Sequence, residues 1–394
     1  MASNTFGPGI KAGDTGTKKR LQSIDLLRGA VMILMAIDHV RVYSGIPAGG
    51  QTYGIFFTRW VTHFCVPAFV FFAGTSAFLY GSKAGNKGKL AGFLLTRGLL
   101  LVLLELTFIR FCWTGNLDYA NFTLAGVIWM LGWCMVLLAV FVRLRARIIG
   151  IIGLAIIFLQ QYFKYVPLAL PQEWRSHFGW FWELIYPSGG DWPPHITILY
   201  VLVPWIGVMM AGYGFGLIIT SGPVKRIKTC LRIGLSAIVI FLVAGTLFVL
   251  FGPPPKYPAP FIFRLLGQQK YPASQLYLLM TLGPVIALIP FAERVRGWFA
   301  NVLVMFGRVP LFYYLLHIPL IHIAALMVNF IREGKSLQEL YVTAPFDEVP
   351  EEHRWSLPLL YLVFIIVEVI LFFVCRWYAR YKSNHPEKNW LKYL

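Results

Sequence analysis

Long apolar runs, most of them near twenty residues, restrict the fold of this chain more than any other feature. They fall at about 24–43, 55–80, 92–111, 122–142, 147–165, 196–220, 231–251, 274–292, 302–330 and 356–379. About 20 residues of helix cross the hydrocarbon core of a bilayer, and core helices of soluble proteins are shorter. Only 13% of the residues are charged, against roughly a quarter in soluble domains. The expected fold is therefore an all-α integral membrane protein, a single bundle of about ten transmembrane helices. A soluble oxidoreductase or hydrolase is excluded. The second and ninth runs are long enough to tilt or break, and both hold internal proline: Pro67 in the second, Pro310 and Pro319 in the ninth.

In a soluble chain a net charge of +18 would suggest nucleic acid. Here the charges sit where topology places them, and no nucleic-acid partner is expected. Alternate connections hold 21 of the 35 basic residues, among them Lys83, Lys87, Arg143, Arg145, Lys225 and Arg226; the other connections hold 8, and six arginines fall inside the runs. The positive-inside rule puts the basic set, and both termini, in the cytoplasm, as in a multi-pass protein of the cell membrane. Residues 1–22 are expected to be a disordered basic cytoplasmic tail without a signal-peptide core, 23–380 the membrane domain, and 381–394 a second basic tail. The long outer connections at 165–194, 251–275 and 333–357 are rich in Trp, Pro or acidic residues; they either shape a substrate mouth or anchor at the interface. Five cysteines, mostly in apolar runs and without CxxC spacing, imply neither disulfides nor a metal site.

Ionisable residues inside membrane helices are costly and tend to face protein-lined cavities. Four runs hold nearly all of them: Asp25, Arg28, Asp38, His39 and Arg41 in the first, Arg59 and His63 in the second, Arg97, Glu105 and Arg110 in the third, Arg308, His317 and His322 in the ninth. Arg28, Arg97 and Arg308 lie toward the cytoplasmic side and form a candidate anion site. Asp38, His39, His63, Glu105 and His317 lie nearer the middle or outer half. Arg28 and His39 share a helix face about 16 Å apart. That layout suits an anionic carrier entering from the cytoplasm with its reactive end outward. The competing reading is structural: Asp25 with Arg28 and Arg97 with Glu105 as helix-pinning ion pairs, and Arg41, Arg110 and His322 snorkelling or paired at helix ends. His317 and His322 diverge, which argues against zinc. Gly212-Tyr213-Gly214-Phe215-Gly216 follows no strand and reads as close helix packing, not a nucleotide loop.

Ser23-Ile24-Asp25-Leu26-Leu27-Arg28-Gly29, followed by an apolar run to Asp38-His39, resembles the first span of the transmembrane acyltransferase superfamily. Closer still is the branch related to heparan-α-glucosaminide N-acetyltransferase, on the second span His63-Phe64-Cys65-Val66-Pro67-Ala68-Phe69-Val70-Phe71-Phe72-Ala73-Gly74, with support from 204–209 and 307–314. The resemblance implies transfer of an acyl group, usually acetyl, from cytoplasmic acyl-CoA to a sugar hydroxyl or amine at the other face. The lysosomal enzyme has its catalytic histidine just after the first span, where residues 46–53 here have none, and an aspartate where His63 stands.

The resulting expectation is an acyl-CoA-dependent O- or N-acyltransferase that needs no metal. Arg28, Arg97 and Arg308 would bind coenzyme A phosphates. His39, oriented by Asp38, would be the general base, with His63 a second candidate for that role. His63 or Arg59 would stabilise the oxyanion, and Glu105 and His317 are further polar site residues. The sequence leaves room for a homodimer. The alternative is a proton-coupled secondary transporter, which also uses intramembrane Asp, Glu and His, although no inverted repeat is visible.

Overall fold

The computed structural model describes residues 22–48, 52–187, 191–192, 196–254, 258–345 and 349–392. Except for Gln22, the expected N-terminal tail lies outside these residues. The described residues are mostly helical, in the order α1 (Gln22–Tyr43), α2 (Tyr53–Trp60), α3 (Cys65–Ala84), α4 (Lys87–Leu104), α5 (Arg110–Thr114), α6 (Val127–Phe141), α7 (Ala146–Leu159), α8 (Gln172–Ile185), α9 (Leu202–Ile219), α10 (Pro223–Phe251), α11 (Phe261–Leu266), α12 (Gln275–Ala292), α13 (Trp298–Arg308), α14 (Pro310–Glu333) and α15 (Leu357–Asn384). Three short strands, β1 (Thr123–Ala125), β2 (Asp191–Trp192) and β3 (Ile196–Ile198), form a small sheet with β3 central, parallel to β1 and antiparallel to β2.

Among the described residues, eight helices are long and apolar enough to cross a membrane. This is fewer than the ten expected, and the two shortfalls have different causes. With 22 residues α1 is long enough, at about 33 Å, but it carries Asp25, Arg28, Asp38 and Arg41. The second is α6, which has only 15 residues. The start of its apolar run is spent on β1, and Gly126, in an extended conformation, is the residue that opens the helix. The run beginning at 196 likewise starts as strand, with β3 preceding α9.

The charges of α1 are tolerated because it sits at the centre. It packs against α3, α12, α13, α14 and α15, and most of its side chains are buried. The approach to α13 is backbone-close: a Cβ on Gly29 would lie 1.9 Å from the Leu303 carbonyl oxygen, and one on Gly307 would lie 1.8 Å from that of Asp25. Gly212 meets the Phe71 carbonyl in the same way, so the glycine run in α9 is a packing face, as its sequence context indicates. At the other extreme, α10 and α15 expose apolar faces, including Val239, Val243, Leu247, Ile365, Val369 and Phe373. Such faces suit lipid contact.

Proline sets the breaks. The second run is interrupted by a 3-10 turn over Val61–Phe64, just before Pro67 in the first turn of α3. Lacking an N–H, Pro67 cannot bond the carbonyl four residues back. That carbonyl belongs to His63, and it accepts from the Tyr277 hydroxyl at 2.8 Å. The ninth run breaks at Val309–Pro310 into α13 and α14. Within the outer connection, residues 165–187 are more ordered than a plain loop. They contain α8, whose Trp174, Trp180 and Phe181 are exposed, beside a groove of about 430 Å³ lined by Pro167, Leu170, Trp174, Trp182 and Tyr186.

Candidate active site

His39 is about one turn from the end of α1, at the level where α14 packs against it. Its Nδ1 lies 2.6 Å from His317 Nε2, and the two rings stack with centroids 4.8 Å apart. The direction of this hydrogen bond follows from the backbone. His317 Nδ1 lies 2.7 Å from the Tyr314 carbonyl and 3.2 Å from that of Tyr313. A carbonyl only accepts, so Nδ1 of His317 carries the proton and Nε2 of the neutral ring offers its lone pair. His39 Nδ1 must then donate, which leaves His39 Nε2 with a lone pair and no hydrogen. His317 is fully enclosed, whereas His39 is partly exposed. Trp113 meets the His39 ring edge-on at 4.9 Å, and Tyr314 at 6.5 Å. Trp113 is held in turn by a 2.6 Å hydrogen bond from the Tyr43 hydroxyl to its carbonyl. Tyr313 stacks on His317 and donates to Glu368 of α15, a buried carboxylate that the sequence reading passed over.

Asp38 faces elsewhere. Consecutive helical residues diverge by about 100°, and Asp38 Oδ1 accepts from Arg41 Nε at 2.9 Å. The side chain that fixes the His39 ring is therefore His317, 278 residues away. Arg41 also donates to the Ile46 carbonyl at 2.8 Å and is nearly enclosed. It folds back over the end of α1 instead of reaching for solvent.

Around Asp38 gathers an excess of positive charge. Arg41, Lys270 and Arg59 all act electrostatically on its carboxylate. Lys270 and Arg59 act on His63 as well. Lys270 is only 9% exposed, its ammonium 5.2 Å from the ring centre of Tyr271 and 5.8 Å from that of Tyr200. In the sequence it is one lysine of the outer connection at 251–275, with no mark of its burial. His63 is buried, touches the Tyr277 ring at 5.5 Å, and has no hydrogen-bond partner on either ring nitrogen.

The three inner arginines are in different situations. Arg28 donates to Ser76 Oγ at 2.7 Å and to the Phe72 and Gly307 carbonyls at 3.4 Å, and it pairs with Asp25 at 3.5 Å. It thus ties α1 to α3 and α13. Arg97 lies within electrostatic range of Arg28 and over the Phe93 ring at 5.9 Å. Arg308, at the α13–α14 break, is exposed. Glu105 does not pair with Arg97. It sits in a π-helical turn, Glu105–Ile109, and its Oε2 accepts from the Ile128 and Trp129 N–H groups at 2.9 and 3.3 Å, capping α6. Arg110 is 1% exposed and donates to the carbonyls of Phe122, Asn116 and Asp118. It organises the turn at 115–123 and does not snorkel.

The arrangement offers a half-buried imidazole with a defined lone pair, an unpartnered second histidine, and cations nearby. Such a set can deprotonate a nucleophile and stabilise negative charge. No curated protein matches the chain. The family model described as heparan-alpha-glucosaminide N-acetyltransferase, catalytic, matches residues 20–251, a stretch that includes His39, Arg59 and His63 but stops short of Lys270 and His317. That match covers more than half of the 394 residues, and the chain belongs to this family of membrane acetyltransferases.

Proposed function

We propose that the protein transfers an acetyl group from cytoplasmic acetyl-CoA, or another acyl-CoA, to a hydroxyl or amine of a sugar at the outer face of the cell membrane. The observation that carries this reading is the His39–His317 pair, which leaves His39 Nε2 as a base at a partly open position. Nε2 takes the proton from the acceptor as its oxygen or nitrogen attacks the thioester carbonyl. His317 holds the ring and its tautomer, the task a carboxylate performs in many triads. His63, buried and unpartnered, donates to the oxyanion of the tetrahedral intermediate. Collapse breaks the carbon–sulfur bond, and the departing coenzyme A thiolate takes the proton back from His39. The charge of Asp38 is held by Arg41, so it shapes the field around His39 without orienting the ring.

The donor's phosphates belong at the opposite end of α1. Arg97 and the exposed Arg308 are further cations near that end. Arg28 is largely committed to Ser76 and backbone carbonyls and would contribute mainly through its charge. Eleven residues of helix between Arg28 and His39 span about 16 Å, a length that an extended pantetheine arm can bridge.

The direct test is purified protein incubated with radiolabelled acetyl-CoA and a panel of amino sugars and glycans, following label into the acceptor. Transfer to at least one acceptor is expected. Absence of transfer, together with a pH-driven solute flux in vesicles, would replace the enzyme reading with a transporter.

A further inference from the structure

Between Arg354 and Arg376 the only charged residue in the sequence is Glu368. It stands about 16 Å into α15, on a helix whose Ile365, Val369 and Phe373 are exposed and apolar. A carboxyl group inside a membrane helix is costly and is retained where it faces protein and has a task. Among the described residues Glu368 forms no ion pair. Its Oε1 accepts from the Tyr313 hydroxyl of α14, and its Oε2 is enclosed without a hydrogen-bond partner. Holding Tyr313 is therefore the task the structure gives this side chain.

Tyr313 in turn supports the histidine pair. It is fully buried. Phe306 of α13 meets its ring edge-on at 5.2 Å. On α14 itself the Tyr313 ring lies nearly parallel to that of His317, four residues on, with 25° between the planes and 5.4 Å between centroids. The His39 ring continues the series, 23° from the plane of His317. Tyr313 also offers its carbonyl to His317 Nδ1 at 3.2 Å. The second side-chain torsion of histidine is broad and roughly two-fold. A half turn of His317 would exchange Nδ1 for carbon at the Tyr314 carbonyl and present Cε1 to His39 in place of Nε2. A tyrosine ring packed parallel at this distance obstructs that turn, provided the ring stays in place. Without an acceptor its buried hydroxyl would be unsatisfied, and the ring would be drawn away to find one.

We propose that Glu368 is a positioning residue: by holding the Tyr313 hydroxyl it keeps the Tyr313 ring against His317, and so keeps His317 in the orientation that leaves His39 Nε2 with its lone pair. This rests on the acetyltransferase reading and adds to it a residue that touches neither substrate.

The test combines kinetics with a spectrum that needs no turnover. Glu368→Leu keeps much of the volume and loses the acceptor. Its kcat should fall about tenfold, the scale of one hydrogen bond, with KM for acetyl-CoA and for the sugar unchanged. Glu368→Gln, which keeps an acceptor oxygen, should restore most of the loss. In a His317→Ala background Glu368→Leu should have no further effect, because the two changes act through one unit. Equal fold losses in both backgrounds, or a Glu368→Leu kcat like the parent's, would overturn the proposal. ¹⁵N NMR of the histidine-labelled protein in detergent, with the His317 signals assigned by their loss in His317→Ala, reads the tautomer directly. The parent should show protonated Nδ1 and bare Nε2 on His317, and Glu368→Leu a mixture of tautomers. That change sustains the positioning role even if the parent transfers no acetyl group; an unaltered His317 signal overturns it. Tyr313→Phe, which keeps the ring and loses the hydroxyl, should shift the spectrum in the same direction and serves if Glu368→Leu does not fold.

Discussion

The hydrogen bond between His39 and His317 has a direction, and function depends on it. Reversed, it would place a proton on His39 Nε2 and remove the base. The direction is imposed by the Tyr314 carbonyl at 2.7 Å, a backbone group that cannot titrate. His317→Ala would leave His39 free to take the other tautomer and to rotate. We expect kcat to fall by about 10²–10⁴, the range for disabling general-base catalysis, with KM for acetyl-CoA little changed. His317→Gln keeps an acceptor oxygen toward His39 and should retain more activity than His317→Ala; the reverse ranking in steady-state assays would contradict the positioning role. His39 was legible in the sequence because its spacing from Arg28 is a local pattern on one helix. His317 was singled out as a polar site residue, but its pairing with His39 was not legible, because a contact 278 residues away leaves no trace in spacing. Lys270 was missed for the opposite reason: a single loop lysine carries no sequence mark of burial.

At the scale of elements, the polar residues that looked like site candidates divide into those that hold helices and those left free. Glu105 belongs to the first group. Its carboxylate satisfies two N–H groups at the start of α6, groups that would otherwise be unpaired. Glu105→Gln keeps an acceptor and should be nearly neutral. Glu105→Ala should cost about 1–3 kcal/mol, read as a lower melting temperature in detergent. Equal melting temperatures for Glu105→Ala and the parent would deny the cap. The crossing of α1 and α13 is similarly exacting. Gly29→Val would drive a side chain into the Leu303 carbonyl and should destabilise by at least about 1–3 kcal/mol, as overpacking does; an unchanged melting temperature would contradict that contact. Proline made the break at Val309–Pro310 legible, since a helix cannot bond through it. The strands β1 and β3 were not legible. Their residues are as apolar as the helices that follow, so hydropathy alone runs the segments together.

For the molecule as a whole, hydropathy and composition sufficed for an all-helical membrane protein, but not for the number of helices that qualify as spans. In α1, charges at the centre of the bundle are shielded by protein, so a test of apolar character rejects a largely enclosed helix. Basic connections do meet at one end: Lys87 donates to the Arg143 carbonyl at 2.6 Å, and Arg226 grips Glu293 with contacts of 2.7 and 3.0 Å. The positive-inside rule assigns that end to the cytoplasm. Alkaline phosphatase fused after Gly45, Asn116 or Pro187 should be active, and inactive after Lys87, Arg145 or Lys225; activity at a basic connection would reverse the route proposed for the acyl group. The central claim is that His39 takes the acceptor's proton at one end of α1 while the donor is held toward the other. It is tested most directly by His39→Gln, which keeps a hydrogen-bonding amide and loses the basic nitrogen. Label transfer from acetyl-CoA should fall to background while calorimetric affinity for coenzyme A stays within about twofold of the parent. Full transfer by His39→Gln would contradict the account and move the base to His63.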